Sequence, residues 1–312
     1  IQESSNNLNI NSNNEFLDLL FEDSNYEILQ KTKTHKNEFA LKADYFFKIK
    51  KVNFNLFLET FEKKETLLNS EIQFSQFEND LNFNKKSNSL GFDTKFKLSQ
   101  KATFTSSLAY SKINFTFNDE LSSRTFFMPK FTLKNEFTSS HYIKLSYSKN
   151  NDLNKVENLL QNEVIGNYRT IFKNQDISFD MIFPNQQIAL DYFYFNSENK
   201  LSIVSNFSYF KAKNILSSNS VSSSTLNTIS YKLAPLEDRF NSMLFLEKTF
   251  SKIPFSARGS ISYSDSNKSF FSNNEDQNLN TKSISGYFSF LSRFKKTSFQ
   301  IETGILFAKD DY

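Results

Sequence analysis

Apolar and polar residues alternate along most of the chain from Phe39 onward. Segment 38–60 reads EFALKADYFFKIKKVNFNLFLET, and its apolar residues fall on one set of alternate positions. They are Phe39, Leu41, Ala43, Tyr45, Phe47 and Ile49, followed after Lys50 and Lys51 by Val52, Phe54, Leu56 and Leu58. A period of two is typical of a β-strand with one apolar face, and the restart after two lysines predicts a hairpin.

The same period recurs to the end of the chain and predicts roughly fifteen strands. The further alternating sets are Ile72 and Phe74; Phe92, Thr94, Phe96 and Leu98; Ala102, Phe104, Ser106, Leu108 and Tyr110, continued after a change of phase by Ile113, Phe115 and Phe117; Phe131, Leu133 and Phe137; Ile143, Leu145 and Tyr147; Ile188, Leu190, Tyr192 and Tyr194; Leu201, Ile203, Phe207 and Tyr209; Ile229, Tyr231 and Leu233; Phe255, Ala257, Gly259, Ile261 and Tyr263; Ile284, Gly286, Phe288 and Phe290; and Phe299, Ile301, Thr303, Ile305 and Phe307.

The connections between these sets fall into two sizes. Short ones are predicted at KIKK (48–51), SQK (99–101), TSSH (138–141), PNQQ (184–187) and Lys295–Lys296, and long polar ones at 118–125, 149–176, 213–225 and 264–282. Pro184, Pro235 and Pro254 are expected in connections, where a missing N–H breaks no ladder bond, whereas Pro129 lies near a strand start. The size alternation is imperfect around SENK (197–200).

A long hairpin that is apolar on one side and charged on the other suits a bilayer on one face and a polar lumen on the other. A transmembrane strand needs about 9–11 residues, which segment 38–49 provides. Because lipid offers no hydrogen-bond partners, such a sheet must close. The predicted fold is all-β: an antiparallel transmembrane outer-membrane β-barrel, or a large part of one, with roughly 14–16 strands. Lys42, Asp44 and Lys48 would face the lumen.

The first residues differ from the rest of the chain. Residues 1–37 are predicted to be a polar lead-in or loop segment, in which EFLDLLF (15–21) could form one or two helical turns, and residues 38–312 are predicted to be barrel strands. The last residues, AKDDY (308–312), read as a loop. The barrel is expected to continue beyond both ends of the chain.

Composition excludes several classes of function. A net charge of +3 over 312 residues is no electrostatic footprint for nucleic acid. Zero cysteines exclude disulfides, thiolate nucleophiles and Cys-ligated zinc. The aromatic residues are 38 Phe and 13 Tyr with no Trp, which counts slightly against a barrel because aromatic girdles commonly use Trp.

Signals for site chemistry are sparse, and the sequence predicts a protein that is not an enzyme. His35 and His141 are far apart and are predicted to be surface imidazoles. NNEDQN (273–278) and Lys309–Asp310–Asp311 could hold calcium in principle, although a solvated loop is the favoured interpretation. Phe270 and Phe271 are interpreted as packing residues, with a ligand-gripping loop tip as the alternative. No catalytic, cofactor-binding or metal residue is assigned, no cofactor is expected, and the ligand-binding residues are unknown.

Residues 142–177, YIKLSYSKNNDLNKVENLLQNEVIGNYRTIFKNQDI, resemble the hallmark region of Bacteroidota TonB-dependent transporters and their carboxypeptidase-regulatory-like relatives. The strand motif is matched by Leu145, Tyr147 and Ser148, the loop leucines by Leu159 and Leu160, and the N-Y-R segment by Asn167, Tyr168 and Arg169. Residues 173–177 keep the next family element only partly, because a glycine before the Asn is missing. Segments 188–215 and 298–312 resemble later strands of the same barrels.

This resemblance implies energy-coupled ligand uptake across the Gram-negative outer membrane. Such barrels have about 22 strands and are plugged by an N-terminal domain. The implied partners are outer-membrane lipid, the plug domain of the same parent chain, TonB and a small ligand of unknown identity, with no nucleic acid. The chain would form most of the later barrel wall.

Two alternatives belong to other classes of protein. A complete smaller barrel of about 14 or 16 strands would be a passive porin or an assembly scaffold. A soluble extracellular β-rich protein would be an adhesion or binding module, because soluble sheets also alternate. A plug-like domain upstream in the parent gene favours the transporter, whereas solubility without detergent favours the adhesin.

Overall fold

The computed structural model describes residues 2–12, 26–71, 77–167, 169–173, 177–223, 226–294 and 298–311. Within these ranges the chain forms fifteen β-strands and one turn of 3₁₀ helix at Val156–Asn158, and no helix has the length and apolar character needed to span a membrane. The strands are β1 Gln2–Ser12, β2 Tyr26–Ile49, β3 Val52–Glu71, β4 Asn79–Lys97, β5 Ala102–Phe117, β6 Glu120–Thr138, β7 His141–Leu153, β8 Val164–Asn167, β9 Thr170–Phe172, β10 Ile182–Asn196, β11 Leu201–Ser222, β12 Asn227–Thr249, β13 Phe255–Ser272, β14 Glu275–Arg293 and β15 Ser298–Asp311.

The strands form one antiparallel meander. Their order in the sheet follows the chain from β1 to β7 and from β10 to β15, and the small strands β8 and β9 lie off this path. The predicted antiparallel all-β fold with roughly 14–16 strands is confirmed. Among the described residues β1 and β15 are the two edges, so this part of the wall is an open sheet.

The register places the apolar alternate positions of twelve strands on one face. One row of opposed residues runs Ile49, Val52, Phe96, Phe104, Leu133, Leu145, Leu190, Phe207, Ser242, Tyr263, Ile284 and Phe307. Because directly opposed residues share a face, this row fixes the orientation of every strand it crosses. The predicted pairing of 131–137 with 143–147 is also confirmed, with Phe131 opposite Tyr147.

We call this apolar face the apolar belt. It comprises Leu41, Ala43, Tyr45, Phe47, Ile49, Val52, Phe54, Leu56, Leu58, Leu90, Phe92, Phe96, Phe104, Leu108, Tyr110, Phe127, Phe131, Leu133, Ile143, Leu145, Tyr147, Ile188, Leu190, Tyr192, Ile203, Phe207, Tyr209, Phe240, Leu244, Leu246, Ile261, Tyr263, Ile284, Phe288, Phe290, Ile301, Ile305 and Phe307. Many of these side chains are exposed, among them Leu41 at 62% and Ile301 at 60%. A continuous exposed apolar face of this size matches a lipid-facing surface.

Strand tilt is visible in the same row. On β2 the row passes through Ile49, next to the Lys50–Lys51 turn, at the lower border of the belt. On β14 and β15 it passes through Ile284 and Phe307, two residues from Lys282 and Lys309, at the upper border of the belt. The belt therefore shifts along the strands as the sheet is followed. This stagger is what tilted strands require when a sheet curves into a barrel.

The change of apolar phase on β5 is not an interruption of the strand. Ladder pairing with β4 and β6 runs without a break through Ile113, Phe115 and Phe117, and these residues are buried on the face opposite the belt. Beyond the belt the outer face of the sheet is polar, as expected for the part of a strand that extends out of the bilayer. The opposite face is apolar at this level because residues of the β7–β10 connection pack on it. The strands are thus longer than a membrane crossing requires.

The prediction of long connections was wrong at 118–125, 213–225 and 264–282. Strands run through most of these segments and are joined by tight turns, Asn118–Asp119 between β5 and β6 and Asn273–Asn274 between β13 and β14. All four turn residues have positive φ, from 43° to 73°, as a type I′ hairpin turn requires and as Asn and Asp tolerate. Of the four segments predicted as long connections, 149–176 is the one that contains a long connection in the described part of the chain, and it joins β7 to β10.

The short connections are confirmed at 48–51, 99–101 and 138–141, and SENK is a further turn at the same end of the sheet. PNQQ was wrongly predicted as a turn, because it lies inside β10. Lys295–Lys296, residues 15–21 and the set Ile72 and Phe74 lie outside the described residues. AKDDY was also mispredicted, since β15 continues to Asp311.

The prediction that Pro184 and Pro235 lie in connections was wrong, because both lie within strands. Each nevertheless occupies a position where its missing N–H breaks no ladder bond. Pro184, in β10, precedes the β10–β11 ladder, which starts at Asn185. Pro235, in β12, precedes the β12–β13 ladder and faces a gap in the β11 ladder at Asn214. Pro129 was wrongly predicted to lie near a strand start: it is in the middle of β6, one residue outside the β6–β7 ladder. Each missing N–H thus falls where one side of the strand has no ladder partner.

The interpretation of residues 1–37 as a loop needs correction. Gln2–Ser12 forms β1 and pairs with Tyr26–Lys36, the first half of β2. The sequence pattern missed them because alternation is visible only where one face is apolar.

Candidate functional site

The candidate functional site is the long connection between β7 and β10, called here the inner loop (residues 154–181, described except for 168 and 174–176). Its first part folds back onto the face of the sheet opposite the belt. Val156, Leu159 and Leu160 are buried there against Leu67, Leu81, Phe83, Ile113, Phe115 and Phe117. The apolar inner surface of β3, β4 and β5 is therefore the packing surface of this loop.

Buried amides fix the main chain of the inner loop. Gln30 on β2 accepts a hydrogen bond from the Ile165 N–H at 2.9 Å and donates one to the Ile165 carbonyl at 2.8 Å. Asn79 on β4 accepts from the N–H groups of Gln161 and Asn162 at 3.0 and 2.8 Å. Since unpaired main-chain groups are costly to bury, these side chains make the inward path of the loop possible.

A buried ion pair also supports the loop. Lys85 Nζ lies 2.5 Å from Glu65 Oε2, with side-chain exposures of 4% and 0%, and donates a second bond to the Asn154 carbonyl at 2.9 Å. Nearby, Lys36 contacts Glu157 of the loop at 2.5 Å. Such charges tolerate burial only when they are paired and hydrogen-bonded, so Glu65, Lys85 and Asn154 depend on one another.

The far end of the inner loop reaches another part of the wall. Strand β9 pairs in parallel with the start of β12, where Thr170 to Phe172 lie opposite Asn227 to Ile229. The Asn227 N–H donates to the Arg169 carbonyl, and the Lys173 N–H donates to the Ile229 carbonyl. One segment thus links β2–β5 to β12, which the sheet separates by β6, β7, β10 and β11.

A cavity of about 210 Å³ lies where these parts meet. Its lining residues are Thr32, Leu67, Glu157, Leu160, Val164, Phe172 and Tyr231. Oxygen Oε2 of Glu157 is buried and has no hydrogen-bond partner among the described residues. The cavity offers an apolar wall and a carboxylate edge, which together can hold a small group that carries a hydrogen-bond donor.

Two acidic side chains in the connection have lowered pKa values. Burial is the largest single influence on Glu157 and opposes its ionisation, but the hydrogen bond and charge of Lys36, a backbone hydrogen bond and the charge of Lys155 together lower its pKa below the usual 4.5. Burial likewise opposes ionisation of Asp180, but bonds from Ser122 and Ser178 and the Arg124 guanidinium at 2.8 Å lower its pKa below 3.8. Both carboxylates therefore hold the loop in their ionised form.

Acid is expected to loosen the inner loop. A carboxyl group with a depressed folded-state pKa stabilises the fold above its unfolded value, and that stabilisation is lost as pH falls through the folded value. The loop should therefore be fully anchored at neutral pH and loosen progressively below the ordinary values of 4.5 and 3.8. Hydrogen exchange at the Ile165 amide measures this opening, and Glu157→Gln should open the loop already at neutral pH. Equal protection at pH 7 and pH 3 would contradict the expectation.

Comparison with known proteins supports the fold through structure alone. No family model and no curated protein matches the sequence. Among solved structures, "Copper transporter OprC" matches 90% of this chain with a TM-score of 0.61 and 5% identity, and the match covers 49% of its own length. The FrpB iron transporter from Neisseria meningitidis (F3-3 variant) gives 0.55 at 11% identity over 91% and 52% of the two chains. The ferric yersiniabactin uptake receptor FyuA from Yersinia pestis gives 0.50 at 8% over 90% and 47%.

The chain has the fold of part of the β-barrel wall of these solved structures. It spans about half the length of the solved structures that it matches. The belt is the outer surface of this barrel wall, and the face that carries the inner loop is the luminal surface. Similarity at this level of identity establishes the architecture, whereas activity and ligand have to be argued from residues.

The residues that resemble the transporter family lie in the inner loop or on the strand that leads into it. Leu145, Tyr147 and Ser148 lie on β7, which leads into the loop. Leu159 and Leu160 are the buried leucines that hold it to the wall. Asn167 lies at the tip of the β8–β9 hairpin and accepts a bond from the Arg169 N–H at 2.8 Å, while Tyr168 is outside the described residues. These motif positions therefore build one inward-folded unit.

Charged side chains line the luminal surface of the barrel wall nearer the short turns. Asp44 accepts from Asn55 at 2.8 Å and lies 3.1 Å from Lys42, and Lys48 is exposed on the same face. Asp191 pairs with Lys144 at 2.9 Å. The luminal position of Lys42, Asp44 and Lys48 follows from strand alternation alone. Lys144 and Asp191 could not be singled out in that way, because their pairing depends on the register of β7 and β10.

The two histidines lie far apart in the barrel wall. His141, at the start of β7, is surrounded by Phe137, Tyr194 and Tyr192 with ring centroids 4.5, 5.3 and 5.6 Å away. His35 lies on β2 opposite Glu3 and Thr66. Within the described ranges no three His, Cys, Asp or Glu side chains are grouped as a metal site would need.

The remaining candidate residues are parts of strands and turns. Glu275 and Asp276 begin β14 as consecutive residues and so point to opposite faces. Phe271, on β13, packs against Ala212 and Ile215, and the Lys232 ammonium lies 5.4 Å from its ring centroid. Phe270 is its neighbour on β13, and 309–311 lie on β15. Phe271 is therefore a packing residue in this arrangement.

Proposed function

We propose that the chain is part of the wall of an energy-coupled transporter in the Gram-negative outer membrane, in which the inner loop narrows the lumen and contributes to ligand selection. The observation that carries this proposal is a single sheet with a lipid-type belt outside and a loop anchored by buried polar contacts inside. A segment that folds into the lumen and joins distant parts of the wall narrows the passage, which gives the wall a means to discriminate between ligands.

The partners of such a protein follow from its class. Outer-membrane lipid would contact the belt, a plug domain of the parent chain would contact the luminal charges, and TonB would supply energy. The narrower assignment to the Bacteroidota carboxypeptidase-regulatory-like branch rests on the motif residues of the inner loop. The protein is proposed to have no enzymatic activity and no resident cofactor.

The ligand is proposed to be small enough to pass beside the inner loop. The solved structures compared above include a copper transporter, an iron transporter and a ferric yersiniabactin uptake receptor, so metal ions and metal chelates are the first classes to test. The acidic edge at Glu157 suits a ligand that presents hydrogen-bond donors or positive charge.

Uptake by cells that produce the parent protein tests the proposal. Accumulation of labelled copper, labelled iron and a labelled ferric siderophore would be compared in cells with and without a working TonB. We expect uptake of one of these classes to depend on TonB and to fall when residues 156–160 are replaced by a Gly/Ser segment. Uptake independent of TonB would favour the passive porin, and a parent protein soluble without detergent would favour the adhesin.

The isolated chain is expected not to form a closed channel. Among the described residues, the edge strands β1 and β15 have backbone N–H and C=O groups without a neighbouring strand. Each such unpaired group costs on the order of several kcal/mol in lipid. The purified 312-residue chain should aggregate or remain detergent-dependent, whereas the full-length parent should form a heat-modifiable barrel. Planar-bilayer conductance of both proteins measures the difference. A stable, uniform channel from the isolated chain would support the small-porin alternative instead.

A further inference from the structure

The outer surface of β3, β4 and β5 changes character directly above the belt. Leu58, Leu90 and Tyr110 end the continuous apolar rows there, and Leu90 and Tyr110 are more than half exposed. The next three positions of the outer face are polar on all three strands, and Leu68 on β3 lies beyond them. Two residues further along β5 comes Lys112, which is exposed on the same face. The border between acyl chains and head groups would therefore fall at this position of the wall.

Three lysines form a diagonal across this border, called here the lysine diagonal. Lys64 lies on β3, Lys86 on β4 and Lys112 on β5, and all three are exposed. Lys86 lies opposite Asn114, which is two residues from Lys112, and Lys64 lies opposite Asn84, which is two residues from Lys86. Diagonal neighbours of this kind are about 7–8 Å apart, so one phosphorylated group can contact two lysines.

Few acidic groups interrupt the lysine diagonal. Each lysine lies in one row of opposed residues on the outer face. Lys112 shares its row with Thr60, Asn88 and Thr125; Lys86 shares its row with Glu62, Asn114 and Ser123; and Lys64 shares its row with Asn84, Thr116 and Leu121. Glu62 is the one acid among them, and it lies 3.4 Å from Lys64. Amides and hydroxyls account for most of the rest, which are groups that bind sugars.

A polar depression continues the surface upward from Lys64. It has a volume of about 480 Å³ and is lined by Lys64, Asp80, Asn82, Asn84, Thr116, Asn118 and Asp119. The carboxylates lie at its far rim, away from the belt, and the amides lie in its middle. The three parts of this surface, apolar, cationic and amide-rich, follow the order of acyl chain, phosphate and sugar in a glycolipid.

We propose that this outer surface binds one phosphorylated glycolipid of the outer leaflet. The acyl chains would lie on Leu58, Leu90 and Tyr110, the phosphates on the lysine diagonal, and the saccharide in the depression. The orientation rests on the proposed outer-membrane location. The long connection between β7 and β10 leaves the sheet at this end, whereas the turns at 48–51, 99–101 and 138–141 are at the other end, and in such barrels the longer connections are extracellular. Clustered lysines at a membrane surface attract anionic head groups.

Native mass spectrometry of the full-length parent protein tests this proposal with a glucosamine-disaccharide lipid that carries two phosphates. The test variant is K64Q/K86Q/K112Q, the charge-preserving variant is K64R/K86R/K112R, and the matched control is K48Q/K95Q/K130Q, whose exposed lysines lie on the luminal face. We expect binding about 10- to 100-fold weaker for the test variant and near wild-type binding for the other two. Heat-modifiable migration on gels verifies that each variant is folded.

Two further probes identify the recognised chemistry. The dephosphorylated lipid should bind as weakly to the wild-type protein as the diphosphorylated lipid binds to the test variant, and inorganic phosphate should not displace the lipid. Equal binding of the test variant and the wild type, equal binding of the dephosphorylated lipid, or full displacement by inorganic phosphate would each overturn the proposal. TonB-dependent uptake is measured separately on the same variants. A loss of lipid binding without a loss of uptake, or the reverse, shows which of the two proposals is wrong.

Discussion

A lysine in place of Phe288 is expected to destabilise the membrane-inserted barrel by about 2–4 kcal/mol. Phe288 lies on β14 in the middle of the belt, between Ile284 and Phe290, and its side chain is 48% exposed in the absence of lipid. In a bilayer this exposure becomes contact with acyl chains, where an ammonium group loses its hydration. Chemical unfolding of the full-length parent in lipid vesicles measures the change.

Tyr287→Lys is the matched control for this substitution. Tyr287 is the preceding residue, so it points to the luminal face, where its hydroxyl donates to Glu302 at 2.6 Å. A lysine there remains hydrated and gains a carboxylate partner, so its cost should be well below that of Phe288→Lys. Comparable losses from the two substitutions would indicate a sheet buried on both faces and would contradict the lipid-facing belt.

Depth should modulate the effect in a way that the register predicts. Leu41 lies opposite Thr60, at the border of the belt, so Leu41→Lys should cost less than Phe288→Lys. Lys42→Leu acts on the luminal face, where it removes the contact with Asp44 and should cost less still. The order of these costs locates the membrane on the wall.

Strands and their lipid-facing residues could be predicted from the sequence wherever one face is apolar. Leu41, Leu145 and Phe288 were identified in this way, because a period of two is a local property of the chain. Beyond the belt the outer face is polar, so the ends of β6, β11, β13 and β14 were mistaken for loops. Asn118–Asp119 and Asn273–Asn274 are local turn signals that could have corrected this.

The candidate site could not be predicted in the same manner, because its contacts are not local. Gln30 and Ile165 are 135 residues apart in sequence, and Lys85 and Asn154 are 69 apart. A buried amide or lysine on a strand looks like any polar residue until the segment that it binds is known. The switch of apolar phase at Ile113, Phe115 and Phe117 was the one sequence signal that something packs on the inner face.

Removing one member of the buried pair between Glu65 and Lys85 is expected to have a larger effect than any substitution at the wall surface. Glu65→Leu should destabilise the folded parent by about 3–5 kcal/mol, because it leaves the Lys85 ammonium buried without a carboxylate and with the Asn154 carbonyl as its one hydrogen-bond acceptor among the described residues. Hydrogen exchange should rise throughout the inner loop, because Asn154 begins it. Unfolding in lipid vesicles and exchange at the Ile165 amide report the two consequences.

The double variant Glu65→Leu/Lys85→Leu separates the cost of an unpaired charge from any stabilisation by the pair. Two apolar residues fit the neighbouring cluster of Leu67 and Phe83, so the double variant should recover most of the lost stability or exceed the wild type. Glu62→Leu is the surface control, since its pair with Lys64 is exposed and should contribute within about 1 kcal/mol. If Glu65→Leu cost no more than Glu62→Leu, water would have to reach Lys85, and the inner loop could not be packed on the wall as described.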